Sequence, residues 1–163
     1  GSEMCIRDRI DQILGNGRTS RLYRSLVEEQ QLATAVSVYG APGSRYPNLF
    51  VIDAIPRHPH TTEELETAIY AELERLKNEL VGETELNKVR NRLVTDQLRQ
   101  LRSNSGLAGL LTSYQSLAGD WRYLATYTRE IEKVSAEDIK AVANKYFTSS
   151  NRTVVVLNRE AGL

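Results

Sequence analysis

The sequence contains few of the residues on which metal, redox and nucleic-acid chemistry depend. Among its 163 residues there is one cysteine, Cys5, and there are two histidines, His58 and His60. A lone cysteine excludes an internal disulfide and a cysteine-based metal site. Acidic and basic residues number 21 each, so the net charge of zero gives no support for a nucleic acid or an anionic membrane as partner. No apolar run approaches the roughly 20 residues that a membrane-spanning helix needs.

The histidines and glycines form no recognisable catalytic or ligand-binding motif. His58 and His60 lie two residues apart in a loop interrupted by prolines, which gives them no fixed geometry and no third ligand nearby. We therefore expect a solvent-exposed loop and no metal site. The glycine pair Gly15 and Gly17 lacks a third glycine and a preceding strand, so it does not fit a nucleotide-binding loop. The sequence predicts no catalytic residue.

The first nine residues differ in character from the rest of the chain. Gly1 and Ser2 are a common remnant of tag removal, and residues 3–9 show neither the charge order of a signal peptide nor a convincing amphipathic period. We interpret residues 1–9 as an artefactual leader from tag removal or sequence assembly. Residues 10–163 are then predicted to be a single domain.

The stretch from residue 10 to residue 39 reads as a helix end, a glycine loop, a second helix and a strand. Gly15 and Gly17 suit a tight change of direction, and Thr19 or Ser20 can cap the helix that follows. From residue 33 to residue 39 the apolar residues alternate, which indicates a strand.

The rest of the chain predicts a second strand over residues 49–55, nearly continuous in apolar residues and therefore central in its sheet. Helices follow, with a capping box at Thr61, a cap over residues 135–138, a helix end at Gly82 and a break or kink over residues 103–106. A buried strand is predicted over residues 153–157. The order is helix, helix, strand, strand, four helices, strand. This order indicates an α+β fold, a mostly antiparallel sheet with helices layered on one face.

Two faces are predicted for the helix that starts near Thr84. Its inward face carries five apolar residues: Leu86, Val89, Leu93, Leu98 and Leu101. Its other face is basic, with Lys88, Arg90, Arg92, Arg99 and Arg102. In a neutral protein this basic face is interpreted as a solvated helix surface and not as an RNA-binding surface.

An ordered set of motifs carries a family resemblance. Residues 14–26 read Leu-Gly-x-Gly-x-Thr-Ser-Arg-Leu-Tyr-x-x-Leu, and an acidic turn and Leu-Ala follow before the strand. Further motifs are Thr-Thr-Glu-Glu-Leu at 61–65, Gly-Asp-Trp at 119–121 and the segment 131–147. In this order they resemble the second, non-catalytic half-domain of the pitrilysin/insulinase-type zinc metallopeptidases, similar to mitochondrial processing peptidase. The resemblance covers residues 10–158.

The resemblance implies a zinc peptidase whose metal is held elsewhere. In the family an inverted His-x-x-Glu-His helix and a distant glutamate bind zinc, and this sequence contains no such motif. The resemblance therefore implies a zinc half-domain upstream, with no zinc and no hydrolysis in this chain alone. It also implies that the first strands of the half-domain are missing here. The resulting sheet edge can support self-association.

The resemblance also marks two positions for substrate contact. Active members carry an Arg and a Tyr seven residues apart on the first helix and strand, and these hold the substrate. The matching positions here are Val27 and Thr34, which lack the donor and the reach. Either the chain belongs to the zinc-bearing member of a pair whose partner subunit supplies Arg and Tyr, or its parent is a degenerate, structural member.

Three functions are compatible with the sequence. The preferred one is an accessory half-domain that lines the substrate chamber of a zinc endopeptidase and contacts peptides. The alternatives are a non-enzymatic structural subunit of the same fold and an unrelated helical adaptor. Bacterial relatives are often exported, so the family resemblance slightly favours the periplasm over the cytoplasm.

Overall fold

The computed structural model describes residues 3–43 and 48–157. Along the chain the elements are α1 Glu3–Leu14, a π-helix Tyr23–Glu29, β1 Ala33–Ala41, β2 Leu49–Pro56, α2 Thr62–Asn78, α3 Glu83–Gln100, α4 Asn104–Ala118, α5 Tyr123–Lys133, α6 Ala136–Tyr146 and a 3₁₀ turn Ser149–Asn151. The predicted α+β class is confirmed, with a small antiparallel sheet beside the helices. Within the described ranges, no helix combines the length and apolar character that crossing a bilayer requires.

The hairpin has one covered face and one bare face. β1 and β2 pair antiparallel, with Ser37 opposite Asp53 and Tyr39 opposite Val51. The face that packs against the helices consists of Val36, Val38, Phe50, Ile52 and Ala54. The prediction of a central β2 is wrong, because the sheet of the described residues has two strands and Leu49 and Ile55 are exposed.

The core joins the N-terminal helices to α2, α5 and α6. Its largest fully buried apolar side chains include Ile10, Ile13, Leu14, Leu22, Leu26, Leu76, Ile131 and Ile139. These residues recur at helical spacing on the inward face of each helix, which is the pattern that amphipathic helices use to cover a core.

The predicted capping box at Thr61 and the predicted cap at Ser135 are confirmed, and the second is a capping box too. The Thr61 hydroxyl accepts from the Glu64 backbone N–H at 3.2 Å, and the Glu64 carboxylate accepts from the Thr61 N–H at 2.9 Å. Ser135 and Asp138 make the same reciprocal pair at 3.1 and 2.9 Å. Each box satisfies two helix-terminal donors, which stabilises the start of α2 and of α6.

Two predicted helix boundaries need correction. Gly82 does not close the preceding helix: α2 ends at Asn78, and Gly82 is the N-cap of α3 with a φ of −63°. At residues 103–106 the chain breaks and does not kink. The Ser103 hydroxyl accepts from the Gly106 N–H at 3.1 Å and starts α4 as a separate helix.

The inward face of α3 differs from the prediction in its second half. Leu86 and Val89 are buried as predicted, whereas Leu98 and Leu101 are 56% and 38% exposed. The buried stripe continues from position 93 to Gln97, and Leu98 lies about 100° around the helix from it. Gln97 donates to the Leu124 carbonyl at 3.3 Å, so a buried polar contact replaces the expected apolar one.

The predicted buried strand over residues 153–157 is also wrong. Among the described residues this segment pairs with no strand, and Val155 and Leu157 are 89% and 94% exposed. Its apolar composition is that of a strand, but no neighbouring strand covers it.

Residues 3–9 are part of α1 and not a separate appendage. Cys5, Ile6 and Arg9 are buried, and α1 packs against α6. The prediction that residues 3–9 lack an amphipathic period is wrong, because their apolar residues follow a helical period that continues into Ile10 and Ile13. Its foreign origin stays a prediction.

Arg9 is a buried cation without a hydrogen-bond partner among the described residues. None of its three guanidinium nitrogens is paired there, and burial, followed by the nearby Arg90, lowers its pKa to about 10. A buried charge without a compensating hydrogen bond costs several kcal/mol, so Arg9 lowers the stability of the fold.

Replacing Arg9→Met is expected to raise the free energy of unfolding by about 1–2 kcal/mol, because Met fills the space without a charge. The folded pKa is the lower one, so the penalty is fully present below about pH 10 and is relieved only as the pH rises above it. Urea unfolding at neutral pH measures the gain. An Arg9→Met protein less stable than the parent would contradict this account.

Asp11 on the same helix makes stability depend on pH. Burial, followed by Asp8, raises the pKa of Asp11 to about 6, and its Oδ1 has no partner in the structure. Because the folded pKa is the higher one, the stability contributed by the protonated form is fully present below the unfolded pKa of 3.8 and is lost as the pH rises through about 6.

Asp11→Asn is therefore expected to raise the free energy of unfolding by about 1–2 kcal/mol at pH 7 and to have little effect near pH 4. Urea unfolding of both proteins across this range measures the difference. Parallel pH profiles for the two proteins would refute the assignment to Asp11.

Candidate functional site

The glycine loop between α1 and the π-helix is tied to α3. Gly17 has a φ of +83°, a conformation that glycine adopts at no steric cost. Arg92 of α3 donates to the Asn16 carbonyl at 2.7 Å and to its side-chain oxygen at 2.6 Å. The predicted tight change of direction is confirmed, and one face of α3 fixes its position.

The predicted cap at Thr19 or Ser20 is not made. The Ser20 hydroxyl is buried and has no hydrogen-bond partner in the structure, while Thr19 is exposed. The Ser20 carbonyl instead accepts from the Arg24 N–H at 3.0 Å, so the helix begins through backbone contacts alone.

A bidentate ion pair also ties the helix after the glycine loop to α3. Arg21 donates to the Glu85 carboxylate through Nε at 3.0 Å and through Nη2 at 2.8 Å. The Arg21 side chain is only 13% exposed, and its hydrogen bonds to Glu85 raise its pKa. Because two parallel N–H···O bonds fix direction as well as distance, the pair orients the helix that carries position 27.

The segment between positions 27 and 34 departs from regular geometry. The Gln30 N–H bonds to the Ser25 carbonyl at 2.9 Å, the wide i→i+5 spacing of a π-helix, and the Gln30 amide donates to the Ser25 hydroxyl at 2.7 Å. Gln31 then has a φ of +54°, which is uncommon for a residue other than glycine. A π-helix and a left-handed residue therefore set the angle at which the chain enters β1.

The structure places Thr34 on the surface and Val27 in local packing. Thr34 is exposed, and its hydroxyl donates to the Ile55 carbonyl at 3.3 Å. Val27 is half-buried against the core. Neither residue can donate to a peptide from a distance, and their assignment to the family pair stays a prediction.

The bare face of the hairpin was missed by sequence reasoning. We define the outer hairpin face by its alternating residues, which are Ala35, Ser37, Tyr39, Leu49, Val51, Asp53 and Ile55. Leu49, Ile55 and Tyr39 are 67%, 55% and 47% exposed. The near-continuous apolar run of β2 suggested burial on both sides, and nothing in its pattern distinguishes a bare apolar face from a covered one.

The two histidines do not form a metal site. His58 is exposed, and His60 Nδ1 lies 3.2 Å from the Glu64 carboxylate, which the backbone N–H of Thr61 also contacts. These contacts, the backbone one first, lower the pKa of Glu64. Across residues 3–43 and 48–157 no three His, Cys, Asp or Glu side chains are grouped so that they could hold a metal. A zinc ion does not fit these residues.

The purified chain is expected to retain far less than one zinc per molecule through gel filtration at neutral pH, because stable zinc sites need three or four fixed ligands. Metal analysis of the eluted peak measures this. Stoichiometric zinc that disappears in the variant with His58→Ala and His60→Ala would refute the expectation.

Comparison with known proteins gives matches along most of the chain. The zinc protease PqqE of Helicobacter pylori is 29% identical over 150 residues, 92% of this chain and 33% of that protein. The chain therefore spans about a third of the length of this curated relative. A solved protease structure from Helicobacter pylori is 27% identical with a TM-score of 0.83, covering 91% of this chain and 35% of the other.

Two further structures share the fold at lower identity. An inactive peptidase domain from Bordetella parapertussis has a TM-score of 0.80 at 23% identity, with 94% of this chain and 82% of that domain covered. The periplasmic protease PqqL of Escherichia coli has a TM-score of 0.69 at 20% identity, with 88% and 16% covered.

The family model described as the peptidase M16 inactive domain matches residues 8–93, just over half of the chain. This segment contains the glycine loop, the π-helix, the hairpin, α2 and the first half of α3, which together form the site described above. The resemblance read from the motifs is thereby confirmed, and the chain belongs to the peptidase M16 inactive domain family.

Proposed function

We propose that the chain is an accessory half-domain that lines the substrate chamber of a zinc-dependent endopeptidase. The zinc and the residues that activate water belong to a second half-domain, because the described residues of this chain offer no ligand set. The role of this chain is then to hold an extended peptide by shape, backbone and apolar contacts. Membership in the inactive-domain family and the sequence relation to a zinc protease support this role.

The outer hairpin face is the observation that carries the proposal. Its exposed residues are apolar except for Ser37 and Asp53, and helices cover only the opposite face of the hairpin. The hydrogen bond from Thr34 to the Ile55 carbonyl connects this face to position 34, the predicted contact position. An exposed apolar surface beside a strand edge suits peptides of varied sequence, since alternating side chains lie on the surface and the backbone remains free to pair.

The ion pair and the loop contact have positioning roles in this proposal. Arg21 with Glu85, and Arg92 with Asn16, tie the segment that carries Val27 to α3. They hold the outer hairpin face in one orientation relative to the helices and do not contact the peptide.

Replacing Tyr39→Ala and Ile55→Ala together in the full-length protein tests the proposal. The KM for peptide substrates is expected to rise about tenfold with little change in kcat, because both contacts contribute equally to the bound substrate and the transition state. Leu98→Ala on α3 is the matched control, since it removes an equally exposed apolar side chain elsewhere. Unchanged KM in the double variant would contradict the proposal.

A structural subunit without activity is the second candidate. It is favoured by one observation, the replacement of the family Arg and Tyr by Val27 and Thr34. The endopeptidase role is preferred because the remaining residues of the glycine loop and helix match the family motif. Zinc content and peptide cleavage of the full-length protein, assayed with its partner subunit, separate the two candidates.

We further propose that the parent protein lies in the periplasm and not in the cytoplasm. The support is the location of a structural neighbour that is a periplasmic protease. Cell fractionation with an antibody against this chain tests the location.

A further inference from the structure

Asp53 is the one charged residue of the outer hairpin face. It lies inside β2, and its neighbours along the strand are apolar. Aspartate is uncommon inside strands, because its short polar side chain packs poorly on a pleated surface. The residue is exposed, and the helices cover the opposite face of the hairpin, so the strand holds the carboxylate without burying a charge.

The Asp53 side chain is free to bind a cation. Among the described residues it forms no ion pair and no hydrogen bond. Its partner across the hairpin is Ser37, which is also exposed and whose hydroxyl contacts no other described residue. Directly opposed residues of an antiparallel pair place their Cβ atoms about 4.5–5.5 Å apart. A carboxylate and a hydroxyl therefore lie side by side, and both can accept a hydrogen bond.

The surroundings of Asp53 suit a cation carried on an apolar stem. Val51 and Ile55 lie on the same face, each about 7 Å from Asp53 along the strand. Tyr39 pairs with Val51, and Tyr39 and Ile55 are 47% and 55% exposed. The four-carbon stem of a lysine can lie on such a surface while its ammonium group stays at the polar point.

A lysine ammonium group fits the two acceptors better than a metal ion does. It is a compact charge with three donors, so it can bind the Asp53 carboxylate and the Ser37 hydroxyl together. A stable metal site needs three or more fixed ligands. Within the ranges that the structure describes, Asp53 belongs to no such group of His, Cys, Asp or Glu side chains.

We propose that Asp53 is a specificity-determining residue that selects a lysine side chain in the peptide bound on the outer hairpin face. The inference rests on the proposed function, since it requires a peptide to lie on this face. An exposed ion pair changes affinity by about fivefold at most. Asp53 therefore sets a preference among peptides, while the apolar residues around it supply most of the affinity.

Binding of a matched peptide pair to the full-length protein tests the assignment. One fluorescein-labelled probe is an uncharged peptide with a single central lysine. The other has norleucine at that position, which keeps the stem and lacks the ammonium group. A chelator prevents cleavage, and fluorescence anisotropy gives both Kd values. We expect Asp53→Asn to raise the Kd of the lysine peptide about fivefold and to leave that of the norleucine peptide unchanged. Added salt should reduce the preference for lysine in the parent protein.

Three variants serve as controls. Ser37→Ala is expected to lower the preference about twofold, because one acceptor is lost. Glu132→Gln, which removes an exposed carboxylate of α5, should leave both Kd values unchanged. The double variant Tyr39→Ala with Ile55→Ala should weaken the binding of both peptides alike.

The outcomes separate this inference from the function on which it rests. If the double variant weakens both peptides and Asp53→Asn leaves the ratio of their Kd values unchanged, the lysine assignment is overturned and the proposed function stands. If the parent protein binds neither peptide, the proposed function fails and the inference fails with it.

Discussion

Gly15→Ala is expected to lower the free energy of unfolding by about 3 kcal/mol. A Cβ at position 15 would overlap Cγ2 of Val38 and lie 3.0 Å from the Val38 backbone nitrogen. The glycine loop can therefore contact β1 only if position 15 has no side chain. To accept the methyl group, either the loop or the strand must move.

A double-mutant cycle separates the two parts of this clash. Val38→Ala removes Cγ2 but leaves the Val38 Cβ, which the added methyl group would also overlap, so we expect it to recover only a small part of the loss in the Gly15→Ala background. Gly109→Ala is the control, because no atom lies within 4 Å of its added Cβ and the residue lies inside α4. That change should be neutral or stabilising by up to about 1 kcal/mol. Similar results for the two alanine variants in urea unfolding would disprove the clash.

The second large effect concerns the partner subunit and not this chain. If the chain belongs to the zinc-bearing member of a pair, the double variant Val27→Arg with Thr34→Tyr should leave peptide cleavage by the full heterodimer almost unchanged. Replacing the Arg and Tyr of the partner subunit by Ala should lower kcat/KM about 10²-fold or more, because contacts to the transition state are lost.

The half-buried position of Val27 adds a control to that experiment. Arg at position 27 has to leave local packing, so the stability of the double variant must be measured alongside its activity. The single variant Thr34→Tyr, at an exposed position, tests the surface contact without this complication. A protease that works without a partner and gains strongly from the double variant would overturn the assignment of the pair.

Much of the local structure could be predicted from the sequence because short-range chemistry determines it. Thr61 with Glu64 and Ser135 with Asp138 carry their partners three residues away, and the structure contains both pairs. The same holds for β1, whose alternation lies within the strand. Features of this kind need no knowledge of the rest of the fold.

The missed features depend on distant neighbours. Residues 153–157 have the composition of a buried strand, but burial requires another strand beside them, and the described residues supply none. Arg21 and Glu85 are 64 residues apart, and Arg92 and Asn16 are 76 apart, so no local pattern connects them. Gln97 likewise occupies an inward position because its amide finds the Leu124 carbonyl, a contact that hydrophobic periodicity does not predict.

At the site, too, features set by neighbouring residues could be predicted, whereas features set by distant residues could not. The assignment of Val27 and Thr34 rests on a motif and stays a prediction. The outer hairpin face could not be predicted, because its exposure depends on which side of the hairpin the helices cover. Its exposed apolar residues, and not a reactive group, are what the chain contributes to the proposed chamber.

The most direct test of the accessory role is complementation. Peptide cleavage is measured for the zinc-bearing half of the full-length protein, produced separately, with and without this chain added. We predict that neither part cleaves peptides efficiently alone, that the mixture regains activity in proportion to the chain added, and that the zinc stays with the other half. Zinc-dependent cleavage by this chain alone, or full activity of the other half without it, would contradict the account.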